Sequence, residues 1–355
     1  MQSIIGLTLN LLIQSFWILV FPGIFFITFL ALLWEWVDRK IYARLQNRMG
    51  PLHTGWRGIL QPLMDFFKLL GKEDLTPEKA DKRSFAAVPI VMLVLSLLLT
   101  MFLPIVDMDP SLQGVQGILS FDGDLILVLF ISTLIAFTII LAGFFSSNPF
   151  GQTGAARTGM LLISFEIPLI LSIVTPAILT RSLRISTIMY QLGSLPFWSI
   201  LLLSGPLVIF LIATQAELER IPFDVSHAET EIVHGWQVEF SGKKLAMIHM
   251  AEDILLVSSV GLAVTLFLGG PYLLEYIPLP VFQSFGTYMA TSWIGWIYYT
   301  LVFMFKSVLV LLILSNVRTL FARWRIDQIV HAAWRYIVPL SLAWLVLIQF
   351  ILGGI

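Results

Sequence analysis

Six of the chain's 22 acidic residues, Glu217, Glu219, Asp224, Glu229, Glu231 and Glu239, fall within 23 consecutive positions. They stand around the stretch "ERIPFDVSHAETEIVHGWQVEFSG", between two apolar runs, in a chain of 355 residues of which only 12% are charged. Carboxylates in such numbers can hold a cation, act as an acid–base pair or exchange protons. Glu229 and Glu231 are two apart, which on a helix points them roughly 200° from each other. That spacing makes a poor catalytic dyad and a poor divalent-cation site.

Further charges lie where lipid is expected. Glu166 sits one to two turns inside the run "LLISFEIPLI", with Arg157 nine residues earlier, and Glu217 closes "LIATQAELER". Glu252 and Asp253 open "MIHMAEDILL", with His249 on the same helical face, and Lys306 stands mid-run in "LVFMFKSVLV". Each costs roughly 2.5–3.5 kcal/mol at bilayer depth, so such groups face a protein interior or a water-filled path. Taken singly, each reads as a structural ion pair or a snorkelling end residue. As a set on several helices they read as a hydrated polar chain of the kind that moves ions or protons.

Other chemistry is excluded by what is missing. With no cysteine, thiolate-bound zinc, iron–sulfur clusters and disulfides are out of reach. No Ser/His/Asp grouping, glycine-rich phosphate loop or HExxH helix occurs, and His53, His227, His234, His249 and His331 are scattered singly. No metal site and no nucleic-acid partner are expected. An electron carrier would belong to a partner or be a bound small molecule.

The elements that must position these charges are membrane spans. The chain is 58% hydrophobic with mean hydropathy +0.90, against about 25% charged residues in soluble domains. Backbone groups in hydrocarbon must be satisfied within each segment, so the fold class is an all-α integral membrane protein. Eight spans are expected near 12–36, 85–106, 124–145, 160–180, 196–215, 246–269, 291–316 and 335–352, in one membrane domain over 1–355. The first run lacks the basic flank of a signal peptide and reads as helix one.

Ten Lys and Arg residues lie in 37–84, whereas 107–123 and 270–290 carry none. The positive-inside rule places the first connection on the cytoplasmic side, together with the acidic loop 216–245, and both termini on the opposite, positive side. Only Arg181 and Arg184 run against it. Within the first connection, Gln61, Asp65, Lys68 and Lys72 recur at i, i+4, i+7 and i+11 on an otherwise apolar segment. An amphipathic interfacial helix over 55–72 follows.

Four blocks, "NRMGPLHTGWRGILQPLMDFFKLLGKED", "GAARTGMLLISFEIPL", "AELERIPFDVSHAETEIVHGWQVEFSG" and "RTLFARWRIDQIVHAAWRYIVPLSLAW", resemble in order and spacing the H-type membrane subunit of complex I, also called NADH dehydrogenase subunit 1. The resemblance implies eight transmembrane helices with a lateral interfacial helix beneath a peripheral arm. It implies an isoprenoid-quinone chamber at Arg39, Arg48, Gln61, Asp65, Arg220 and Phe223. The implied proton path comprises Asp224, Glu229, Glu231, Glu217, Glu166, Glu239, Glu252, Arg157 and Lys306, and Arg318, Arg323, Arg325 and Asp327 match the last cytoplasmic connection. Departures are Leu52 after Gly50-Pro51, Asp38 before Arg39-Lys40, His227 in place of a usual Glu, and Asp253 beside Glu252.

The resemblance implies a subunit of a proton-pumping NADH–quinone oxidoreductase of the respiratory chain, a translocase in an energy-transducing membrane, most simply the cell inner membrane. Such a chain carries no redox centre. Its Fe–S clusters sit on peripheral-arm partners, and other membrane-arm subunits and lipid surround it. The alternative is the equivalent subunit of a ferredoxin-driven membrane hydrogenase that uses no quinone. A stand-alone transporter is disfavoured by the lack of inverted repeats and paired broken helices.

Overall fold

The computed structural model describes residues 14–106, 115–192, 201–273 and 293–353. Among the described residues every regular element is helical, and seven helices are long and apolar enough to cross a membrane. The chain is an all-α integral membrane protein. The first residues of the expected first, fifth and seventh spans, 12–13, 196–200 and 291–292, lie outside the described residues, as do parts of 107–123 and 270–290.

The main helices are α1 (Ile24–Leu45), α3 (Lys82–Thr100), α4 (Asp124–Phe145), α5 (Pro149–Thr180), α7 (Ser204–Glu217), α9 (Gly242–Phe267), α10 (Trp293–Leu320) and α12 (Val338–Gly353); α7, 14 residues long as described, is not among the seven. Shorter pieces are α2 (Gln61–Leu70), α6 (Ile185–Leu192), α8 (Glu229–Ile232) and α11 (Ile326–Ala332), the last joined to α12 through a π turn at Ala333–Ile337. Helix α9 is the axis, packing on α3, α1, α10 and α2. Its Ala246, Ala251, Ser258, Ser259 and Ala263 keep the surface low, so neighbouring backbones approach closely. A Cβ on Gly261 would lie 2.5 Å from Leu103 Cδ1.

Three boundaries differ from expectation. Helix α5 begins at Pro149 rather than near 160, because Asn148 caps it by accepting from the Phe150 N–H at 3.0 Å and Pro149 takes the N1 position. Glu166 therefore lies near the middle of α5, not one to two turns from its start. Helix α2 runs only over Gln61–Leu70, preceded by a 3-10 turn at Trp56–Gly58, so the 55–72 segment is helical in part. Lys72 lies past its end, where the chain turns at Gly71 and docks on the start of α9. There Lys244 Nζ reaches Asp74 Oδ1 at 3.0 Å and Thr76 Oγ1 at 2.8 Å, and Ser241 Oγ accepts from the Leu75 N–H at 3.0 Å.

The acidic stretch is the third difference: expected as a cytoplasmic-side loop, it is packed onto the bundle. After α7 the chain turns back, with Gln215 Nε2 donating to the carbonyls of Ile221 and Leu314 at 3.1 and 3.3 Å. Phe223, Val225, Ala228, Ile232, Trp236 and Phe240 are all buried. Gly235 has φ +58°, and a Cβ there would meet the Ser226 carbonyl at 1.7 Å, so the turn needs glycine. Fully burying each of these large apolar side chains is worth roughly 1.5–3 kcal/mol, which is what draws a segment with four acids between Glu219 and Glu231 onto the bundle.

At the far end of α4, Asp124 Oδ1 accepts from the Ile185 N–H at 2.8 Å and so starts α6. Arg184 is tied to Ser120 Oγ at 3.1 Å and Gln116 Oε1 at 2.9 Å. One of the two cations that run against the charge rule is thus held in a local network.

Candidate functional site

A cavity of about 400 Å³ lies between α1, α2, α7, α9 and the folded-back acidic stretch. Its lining includes apolar Leu32, Pro62, Phe66, Leu69 and Met92. It is also crowded with ionisable groups, and these divide into two kinds.

The first kind is ion-paired. Arg39 of α1 donates from Nε to Glu35 Oε1 at 2.6 Å and from Nη1 to Asp65 Oδ2 at 2.7 Å. Gln61 Nε2 donates to Asp65 Oδ1 at 2.8 Å and its Oε1 accepts from Thr54 Oγ1 at 2.5 Å, so the predicted stripe on α2 is bonded to α1. Asp38, fully buried, takes Arg220 Nη1 at 3.2 Å and Arg318 Nη1 at 2.9 Å on Oδ2, while Ser315 donates to Oδ1. This ring joins α1, α2, α10 and the acidic stretch. Burial alone would push the Arg220 guanidinium down, but Asp38 and Glu35 beside it raise it, so it stays charged. Asp224 accepts from Arg323 Nη2 at 2.6 Å nearby.

The second kind has no lysine or arginine within ion-pair distance among the described residues. Glu166 takes a hydrogen bond from Thr133, and Glu252 takes one from Gln237 Nε2 at 2.5 Å with His249 Nδ1 at 3.2 Å. Glu217 stands beside Ser132 and Asp253 stands beside Glu252. Glu217 borders the large cavity and two smaller ones. One, of about 30 Å³, is also lined by Glu166, Thr158 and Glu219, and has room for a water molecule. The other, of about 10 Å³, is lined by the hydroxyls of Ser132, Thr214, Ser258 and Ser259.

Glu219 and His227 form a buried pair between these regions. Glu219 Oε2 accepts from His227 Nε2 at 2.7 Å and from Trp236 Nε1 at 3.0 Å, and Oε1 accepts from Thr158 Oγ1 at 2.5 Å. Burial would lower the His227 imidazole, but the Glu219 carboxylate against it raises it to about 9. Burial would likewise raise Glu219, and His227 with the two hydrogen-bond donors holds it below the ordinary value.

Of the residues singled out in the sequence, the cavity wall includes Arg39, Asp65, Arg220, Asp224, Glu229, Glu217 and Glu252. Gln61 is one hydrogen bond away and Glu166 lines the adjoining small cavity. The others lie elsewhere. Phe223 is buried between Phe165 and Trp324, at ring distances of 4.8 and 6.3 Å. Arg48 is exposed and stacks over Tyr42. Arg157 is not beside Glu166 but binds Glu231 Oε2 at 2.6 Å and the Val225 carbonyl at 3.1 Å, while Glu239 accepts from Asn148 Nδ2 at 2.5 Å. Lys306 donates to the carbonyls of Leu268 at 2.7 Å, Gly270 at 2.9 Å and Tyr272, away from the cavity.

The wall also holds Glu35, His234 and Arg318, which sequence reasoning did not place in the site, and Glu219, His227 and Asp253, which it had singled out without assigning them to the chamber or the path. For Glu35 the signal was present in its i,i+4 spacing to Arg39.

Comparison with known proteins follows this architecture along nearly its whole length. The family model described as NADH dehydrogenase matches residues 18–349. The H-type subunit of the NADH-quinone oxidoreductase of Dehalococcoides mccartyi (strain CBDB1) is 35% identical over 347 residues, covering 95% of this chain and 88% of that protein. Its counterpart in the NADH-quinone oxidoreductase of Ehrlichia ruminantium (strain Gardel) is 34% identical over 322 residues, covering 89% and 84%. The H-type subunit of the F(420)H(2) dehydrogenase of Methanosarcina mazei is 33% identical over 341 residues, covering 95% and 93%. The chain belongs to the NADH dehydrogenase subunit 1 family, the H-type membrane subunits of complex I-like oxidoreductase assemblies.

Proposed function

We propose that the chain forms a quinone chamber, and the carboxylate path that couples quinone reduction to proton translocation, while holding no redox centre of its own. The observation that carries this reading is Glu217, one carboxylate bordering the large cavity and both inner cavities. The volume of about 400 Å³ falls within the range of small-molecule sites. A lining of both apolar and charged side chains suits an amphiphile with a polar ring and an isoprenoid tail.

Reduction of a quinone to a quinol takes two electrons, supplied here by Fe–S clusters on a partner, and two protons. Arg39, Asp65 and Arg220, fixed by ion pairs, orient the polar ring. Glu229, Glu252, Asp253 and Glu217 exchange protons with the chamber, and Glu166 receives them beyond it. Arg157–Glu231 and Asn148–Glu239 anchor the folded-back stretch, and Lys306 secures the end of α9. Peripheral-arm subunits cover the face formed by 37–84 and 216–245, and other membrane-arm subunits and lipid meet the apolar helix faces. The membrane is the cell inner membrane, with both termini on its positive side.

Two of the relatives above carry quinone in their names, which favours this reading over a quinone-free hydrogenase. The F(420)H(2) dehydrogenase relative supports a second reading, in which F420H2 rather than NADH donates the electrons on a partner subunit.

The test is the assembled complex in proteoliposomes, with quinone-dependent turnover and proton translocation measured together. Glu217→Gln should lower translocation about 10²-fold while the donor still reduces the clusters. Turnover with protons as sole acceptor and no response to quinone overturns the reading.

A further inference from the structure

Glu217 is not the only carboxylate shared between chamber and interior. Glu219 also lines both the large cavity and the small one that holds Glu166. Its two oxygens face opposite neighbours: Oε2 meets His227, a chamber residue, and Oε1 meets Thr158, a residue of the small cavity. A carboxylate that is ionised at rest can accept a proton from the chamber, and burial opposes ionisation. The one cation at ion-pair distance from it among the described residues is His227.

We propose that His227 is a positioning residue whose fixed positive charge keeps Glu219 ionised, so that Glu219 forms a second proton gate between the chamber and the Glu166 cavity, in series with Glu217. The proposal rests on the proton-path reading above. Groups facing His227 come from two elements: Glu219, Asp224 and, at a ring distance of 5.5 Å, His234 of the acidic stretch, and Glu252 and His249 of α9. The acids outnumber the histidines around it, and this environment holds the imidazolium up to about pH 9. During transfer Glu219 takes a proton on a carboxylate oxygen from the chamber and releases it through the Thr158 hydroxyl. His227 keeps its own proton throughout.

The experiment uses the assembled complex in proteoliposomes, with translocation and quinone reductase turnover followed from pH 6 to 10. In His227→Gln, Glu219 loses its counter-charge and burial favours its neutral form. Translocation should fall about 10-fold at pH 7 relative to electron transfer and recover as pH rises and Glu219 deprotonates, the reverse of the wild-type profile. His227→Lys, which keeps a cation, should retain most translocation.

If His227→Gln assembles poorly, the double variant His227→Gln/Glu219→Gln leaves no charge unpaired. It should assemble and still translocate poorly at every pH. A His227→Gln complex with the wild-type profile, or a double variant that translocates normally, overturns the proposal while leaving the function intact. A wild-type complex showing no quinone-linked translocation overturns the underlying reading instead.

Discussion

Two clusters at and behind the cavity wall handle charge in opposite ways. In the ring of Glu35, Asp38, Arg39, Asp65, Arg220 and Arg318 every acid meets a guanidinium within 4 Å. Among Glu166, Glu217, Glu252 and Asp253, no lysine or arginine of the described residues comes that close, and hydroxyl, amide and imidazole groups take its place. A carboxylate locked to arginine stays ionised and shapes a site. A carboxylate held by neutral dipoles sits nearer the balance between its two protonation states and can trade protons. On the proposed function, the first cluster serves as architecture and the second as exchange machinery.

The comparison breaks most visibly at Asp38. Asp38→Ala leaves Arg220 and Arg318 without their shared buried partner, and should cost about 3–5 kcal/mol, read as loss of assembled complex and a lower melting temperature. A variant that melts like wild type would remove the ring from the architecture.

Glu166→Gln should do the converse. Thr133 still has an acceptor, so stability holds, while proton translocation drops about 10²-fold. A stability loss as large as that of Asp38→Ala would erase the distinction.

The Glu219–His227 pair stands between the two kinds, matched to a histidine rather than a guanidinium, and its stabilisation depends on pH with a definite sign. The histidine's share is complete below 6.5 and disappears as pH rises through about 9. The share of Glu219 is complete above 4.5 and disappears as pH falls through its depressed folded value. Hydrogen-exchange protection over 226–236 should thus be highest between about 4.5 and 6.5 and fall steeply near pH 9. A flat response across that range would show that apolar packing alone holds the stretch.

Smaller effects sharpen the edge of the ring. Arg323→Gln breaks a partly exposed pair with Asp224 and should cost about 0.2–1 kcal/mol, less at high salt, measured by melting at two ionic strengths. Arg48→Ala should cost at most about 0.5–1 kcal/mol from its stacking on Tyr42, with the quinone KM unchanged. A tenfold rise in KM would return Arg48 to the chamber.

Composition and periodicity determined the class of this protein and most of its spans, because lipid imposes one rule on every spanning segment and that rule is written in runs of apolar residues. The acids at helix depth were legible for the same reason: Glu166, Glu217 and Glu252 stand out against an apolar background. Their partners were not. Arg157 lies nine positions from Glu166 in sequence yet binds Glu231, 74 positions away, and Asp38 finds its ring at Arg220 and Arg318, across 182 and 280 positions.

Such pairings depend on how α1, α5, α9 and α10 settle against one another, which the pattern along any single helix does not encode. The acidic stretch carries the same lesson. Its acids were legible in the sequence as a cluster, but not that buried Trp236 and its apolar neighbours fold the stretch into the cavity wall. Which of its acids pair with a cation and which stand without one among the described residues was decided only there, by the distance from each carboxylate to the nearest cation.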